Sequence, residues 1–454
     1  METITKQKDL TQGSVLKGLF LFSLPLLGSS VVQQLYNTVD LIFVGNLVGK
    51  EASAAIGSTS MLTVLFIGFF MGMGVGASVL TGHAFGARQD QKLKDTIHTT
   101  MGVSILATVA AMAIGLLGAP YFLKFMDVPL NVMPLSLTYL RIYFIGMFAT
   151  VFYNMPTGII RALGDSRSPL IYVIVGSITN IGLDALFIAV FHMGVAGAAV
   201  ATVLSQALAA ILTIRYLCRL PKKWRLEFKK INVDRVLAKR LLGLAVPEAI
   251  RSMLMTFSNL VIQTGVNSLG VESMAAYAGY GKIEGFIYLP QWAVGQANTT
   301  FVSQNLGAGN LKRAQKGTKA ALAMAIGITL GISSLVCIFA HPIFRAFSSD
   351  HLVIDLSVRT ARATYMLYFL YAIVEVLAGT IRGSGTTVSP MVITIVTLCG
   401  FRIVVLKAAM HYWHTLNQII GFVFPMTWVV AAAVFAVYYF SGLWKRGKRF
   451  KETV

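Results

Sequence analysis

Apolar runs of about 20 residues or more follow one another along the chain, each long enough to cross the hydrocarbon core of a bilayer as a helix. They centre on 16–45, 53–82, 96–118, 134–158, 169–191, 194–217, 236–267, 272–303, 318–340, 355–380, 389–410 and 415–441. These twelve runs predict an all-α polytopic membrane protein with twelve transmembrane helices. The first run begins near Leu16 and extends beyond a signal-peptide core with no small-residue cleavage pattern, so it counts as the first span.

The polar stretches between the runs set the orientation. Lys and Arg concentrate in alternate loops, with ten in 215–240 alone and five after Gly442. By the positive-inside rule both termini are cytoplasmic, the expected location is the plasma (inner) membrane, and 219–235 (RLPKKWRLEFKKINVDR) is a basic cytoplasmic linker. The net charge of +20 therefore marks topology and not nucleic-acid binding, because the basic residues lie between hydrophobic runs. A composition 56% hydrophobic and only 12% charged, with mean hydropathy +0.71, excludes a water-soluble domain of this length. The three Cys, at 218, 337 and 399, lie beside or inside apolar runs and suggest neither disulfides nor a zinc site.

Sliding the chain on itself by 221 or 222 positions places Pro25 on Pro247, Asn37 on Asn259 and Gly86-Ala87 on Gly307-Ala308. The same shift places Gly158 on Gly379, Arg161 on Arg382, Gly164 on Gly385 and Ser168-Pro169 on Ser389-Pro390. This is an internal duplication. Six spans per half is an even number, so both halves insert in the same sense, as parallel repeats about an axis along the membrane normal. The expected domains are an amino-terminal six-helix lobe (1–218), the linker (219–235), a carboxy-terminal six-helix lobe (236–443) and a basic tail (444–454).

Ionisable side chains inside spans are expensive, so each is a functional candidate. The first half has two such carboxylates. Asp40 lies in QQLYNTVDLIFVG, with Tyr36 and Asn37 on the same helix face; Asp184 lies in TNIGLDALF, with Asn180 one turn before it. A rise of 1.5 Å per residue puts Asp184 about 22 Å from the cytoplasmic start of span five and Thr202 about 12 Å from the outer start of span six. Both thus share one level in the outer half of the bilayer, which Asp40 and Tyr139 can also reach. In the second half the equivalent positions are apolar: Ile262 for Asp40, Phe401 for Asn180, Val405 for Asp184 and Val423 for Thr202. The fold can be built without the cluster, so its presence in one half points to a cation site. Carboxylate, amide and hydroxyl oxygens suit a small hard cation, and two nearby carboxylates in low dielectric also retain a proton. Na⁺ and H⁺ both fit, and in the sodium case Asp40, Asn180, Asp184 and Thr202 are the metal ligands.

The second half carries Glu248, Arg251, Lys282, Glu284, Glu375, Arg402 and Lys407 within its spans. Opposite signs suggest internal pairing for Glu248, Arg251 and Lys282, leaving Glu284 and Glu375 as candidates to hold a cationic substrate. Pro25 removes a helix hydrogen bond on the helix that carries Asp40, which makes it a candidate gating hinge. The spacings Gly68-Gly72-Gly76 and Gly281-Gly285 read as helix-packing motifs. No H-E-x-x-H pair, Walker A lysine loop or G-x-S-x-G elbow occurs, so neither an enzyme nor a cofactor is expected. Without an ATP-binding segment, uphill transport draws on an ion gradient.

The stretch PLLGSSVVQQLYNTVDLIFVGNLVGKEASAAIG, the paired loops GHAFGARQD and SQNLGAGNLKRA, and the paired turns IIRALGDSRSP and TIRGSGTTVSP resemble the multidrug and toxic compound extrusion family over essentially the whole chain. The resemblance implies a V-shaped pair of six-helix lobes, and ion-coupled antiport of organic cations and amphiphilic drugs against H⁺ or Na⁺, here expected of a monomer. It implies a cation site at Asp40, Asn180, Asp184 and Thr202 and a bending proline at Pro25. A sodium-coupled branch carries acidic residues where this chain has Thr256 and Tyr371, with Glu375 one turn later. The alternative is a lipid-linked oligosaccharide flippase of the same superfamily, for which Arg251, Lys282, Arg402 and Lys407 would line a cavity and hold pyrophosphate.

Overall fold

The computed structural model describes residues 9–445, apart from the side chains of residues 37, 39–47, 50 and 53. Among the described residues all regular structure is helical. Nine helices among the described residues are long and apolar enough to cross a bilayer, and two bent pairs raise the number to eleven. The pairs are Met133–Ile145 with Met147–Ala162, bent by 47°, and His351–Leu367 with Phe369–Gly383, bent by 45°. These are spans four and ten, equivalent members of the two repeats. Span eight is the 37-residue helix Val271–Gly307, about 55 Å long at 1.5 Å per residue. Lys282, Glu284 and several tyrosines keep it less apolar than the rest. Large side chains on outward faces, such as Leu117, Tyr121 and Phe125 of span three, are exposed, as expected where lipid tails replace water.

The chain packs as two compact units, and each takes in part of a helix from the other repeat. The first comprises Gly28–Ala249; the second comprises Leu10–Leu27 together with the chain from Ile250 on. In the second unit Leu19, Phe22 and Leu26 of span one pack with Ala293, Ala297, Phe301, Ala321 and Val376. In the first, Leu241, Leu244, Ala245 and Ala249 of span seven join the core. Close approach there depends on glycine: a Cβ on Gly72 would lie 2.6 Å from the backbone of Ala249, and one on Gly76 would lie 2.7 Å from Ala245. Duplicated glycines bring spans two and four, and spans eight and ten, into backbone contact. A Cβ on Gly158 would run into the carbonyl oxygen of Gly74, and one on Gly379 into that of Gly295.

The segments preceding spans one and seven are anchored in parallel fashion. In the second unit, Gln304 Oε1 accepts from the Leu10 amide at 3.0 Å, and Arg313 Nη2 donates to the carbonyls of Gln12 (2.7 Å) and Gly13 (2.9 Å). In the first unit the basic stretch 219–235 folds onto span three. Trp224 Nε1 donates to Asp90 at 2.8 Å, and Lys94 pairs with Glu227 at 2.7 Å. His98 accepts the Glu227 amide on Nε2 at 3.1 Å. Its Nδ1, 2.8 Å from the Lys94 carbonyl, is therefore the protonated nitrogen of the neutral ring.

Candidate functional site

Span five supplies the first cluster. Its α-helix, Arg167–Asp184, presents Asn180 and Asp184 on one face and passes at Ala185–Val190 into a π-helical turn. Such turns widen the backbone and recur at functional sites. Both side chains are fully buried, and Thr202 of span six and Tyr139 of span four are also buried. Tyr36 of span one donates its hydroxyl to Thr202 Oγ1 at 3.5 Å, so spans one and six meet at this level. Neither the amide nitrogen nor the amide oxygen of Asn180 has a hydrogen-bond partner among the described residues. A buried amide left that way costs about 1–3 kcal/mol. The side chains of Asp40 and Asn37 lie outside the described residues.

Beside this cluster, a small, partly open cavity is lined by Tyr36, Thr150, Asn154, Ser177 and Gln206 among others, none of them charged. Its wall is ordered by Thr150 Oγ1 donating to Gln206 Oε1 at 2.6 Å and by Asn154 donating to the Thr150 carbonyl at 2.8 Å. Gly176 lets spans five and six approach here; a Cβ on it would lie 3.4 Å from the Ser205 carbonyl. Thr150, Asn154 and Gln206 escaped the sequence reading because neutral polar residues in spans carry no charge to flag them.

The second unit holds a larger, partly open cavity of about 470 Å³. Glu284 lines it and accepts a hydrogen bond from the Tyr368 hydroxyl at 3.1 Å. Thr256, Tyr371, Arg251 and Arg402 line it too, whereas Lys282, Lys407 and Glu375 do not. Glu375 instead pairs with Arg382 in the interior of span ten. Gly281 and Gly285, expected at a helix contact, face this open space: a Cβ on either would meet nothing within 4 Å. Among the described residues no group of three or more His, Cys, Asp or Glu is placed to hold a metal ion.

The MatE family model matches residues 25–186 and again residues 247–406, the two copies of the repeat. The chain is 30% identical over 460 residues to the probable multidrug resistance protein YoeA of Bacillus subtilis, covering 98% of this chain and 97% of that one. It is 28% identical to the probable multidrug resistance protein YpnP of the same organism, covering 98% of this chain and 100% of that one. Among solved structures, an outward-facing multidrug resistance MATE family transporter of the MOP superfamily superposes with a TM-score of 0.90 at 22% identity, covering 100% of both chains.

Proposed function

The chain belongs to the MatE family, and from that premise we propose that it is a secondary multidrug efflux transporter. It exports organic cations or amphiphilic drugs across the inner membrane, with both termini in the cytoplasm, in exchange for H⁺ or Na⁺. The observation that carries this reading is the buried cluster of Asn180, Asp184 and Thr202, its Asn180 amide without a hydrogen-bond partner among the described residues, at positions that are apolar in the second repeat. The names of the two Bacillus relatives support the substrate class.

Coupling follows from electrostatics. On this reading the two carboxylates Asp40 and Asp184 share one site and resist double ionisation, so one proton or one Na⁺ from outside neutralises it. Asn180 and Thr202 supply the neutral oxygens that a sodium ion needs. The drug occupies the uncharged cavity beside this site, and linkage requires ion and drug to weaken each other's binding. Pro25 lies two residues before Leu27, the last residue of span one within the second unit. A missing helix hydrogen bond at that place gives the helix its bending point.

The test is efflux of ethidium from proteoliposomes under an imposed pH gradient and, separately, an imposed Na⁺ gradient. One gradient should drive export by the native chain and fail with Asp40→Asn/Asp184→Asn. Equal transport by the double variant would make the cluster structural and end this reading.

A further inference from the structure

The cavity of the second unit has a chemistry that the proposed export of cations does not use. Its lining carries two guanidinium groups, Arg251 and Arg402, against one carboxylate, Glu284. Arg402 is 3% exposed. Among the described residues its Nη1 has only neutral, long contacts, 3.4 Å to Ser258 Oγ and 3.3 Å to Asn259 Oδ1, and its Nε has no partner. Ser258 itself is committed to the Leu398 carbonyl at 2.7 Å. Among the described residues no carboxylate reaches Arg402 at ion-pair distance. A permanently charged group with five donors is therefore buried at a cavity wall with most of its hydrogen-bonding capacity unspent.

Seven aromatic side chains share the wall with Ser252, Met255, Thr256, Asn259 and Gln263. The ring of Phe424 lies 5.3 Å from the Arg402 guanidinium and stacks nearly parallel to Trp428, at 5.5 Å and 10°. Tyr368 meets Trp428 edge-on at 4.7 Å. Gly281 and Gly285 leave open space in the same cavity, on the helix face that also brings Tyr277, Glu284 and Tyr288 to its lining. Flat rings beside a cation, with open space over two glycines in the same cavity, suit a planar aromatic group, and a guanidinium fork reads carboxylate or phosphate.

We infer that this cavity is a second binding site, which takes a planar aromatic anion with its carboxylate or phosphate on Arg402. The inference stands on the second unit alone and does not rest on the coupling site proposed in the first. Glu284 opposes such a ligand and is the counter-charge whose removal should favour it.

The experiment measures binding to the full chain in lipid nanodiscs by fluorescence anisotropy. The probes are fluorescein as the carboxylate, riboflavin 5′-phosphate as the phosphate, riboflavin as the same ring without the anion, and ethidium as the cation. At least one of the two anions should bind, and Arg402→Gln should weaken it about tenfold or more while leaving riboflavin unchanged. Glu284→Gln should tighten the anion or leave it unaltered. The thermal midpoint of Arg402→Gln should not fall, since an unpaired buried charge has been removed; if that variant is not recovered, displacement of the bound anion by ethidium from the native chain decides the matter. The inference is overturned if neither anion binds, if Arg402→Gln binds both as the native chain does, if its weaker binding merely follows a lower midpoint, or if ethidium displaces the anion.

Discussion

Glu375 and Arg382, two turns apart on span ten, form an ion pair with 2.8 Å between Oε1 and Nη2, the side chains being 2% and 0% exposed. The pair is packed against span eight, where a Cβ on Gly295 would come within 2.8 Å of Glu375 Cγ. Glu375→Gln removes the carboxylate from a buried guanidinium, a loss of about 3–5 kcal/mol. The expected result is a markedly lower thermal midpoint, read by intrinsic fluorescence in detergent. Loss of transport at an unchanged midpoint would return Glu375 to the role of substrate contact.

Asn180→Ala separates ligand binding from packing. Because the amide has no hydrogen-bond partner among the described residues, its removal should leave the midpoint unchanged or raised. Ion-driven ethidium efflux should fall by about tenfold, the scale of a typical coupling. A lowered midpoint with efflux intact would contradict this.

The duplicated glycines predict a contrast. Gly158→Ala and Gly379→Ala drive a methyl into the carbonyls of Gly74 and Gly295, and overpacking of this kind costs about 1–3 kcal/mol or more. Gly285→Ala meets open space and should give native yield and midpoint. Yields and midpoints of the three variants, compared side by side, check the assignment.

Glu227 gives a pH signature. Hydrogen bonds from Lys230 and then Lys94 hold its carboxyl down at about 2, below its ordinary 4.5. A depressed carboxylate stabilises the fold above its unfolded pKa and loses that contribution as pH falls through the folded value. Glu227→Gln should therefore lower the midpoint at pH 7, with the gap to the native chain closing between about pH 4.5 and 2. A gap independent of pH would mean that the ion pairs are idle.

The spans and the duplication were readable because hydropathy and matched Gly and Pro positions are properties of the chain read in order. Asn180 and Asp184 were readable for a related reason, since polarity in one repeat stands out against apolar residues in the other. The partners of the second-half charges were not. Arg402 counted only toward a basic cavity shared with Arg251, Lys282 and Lys407; the structure puts the two arginines at one cavity wall and the two lysines elsewhere. Two turns separate Glu375 from Arg382, a spacing that places both on one face, but the same spacing is compatible with a residue facing a cavity. Identical glycine patterns also diverge: Gly72-Gly76 meets a helix, while Gly281-Gly285 meets open space, and what lies opposite is a matter of tertiary structure.

The exchange of half-helices bears on the order in which the molecule is made. Leu10–Leu27 leaves the ribosome long before its core partners, Ala293, Phe301, Ala321 and Val376, which lie about 265 residues or more further along the chain. The first unit closes once Ala249 is inserted. The opening half-helix must wait through that whole assembly before its own unit exists to receive it. Two halves produced as separate polypeptides, cut within 219–235, would leave each unit short of a piece carried by the other, and neither would mature without it.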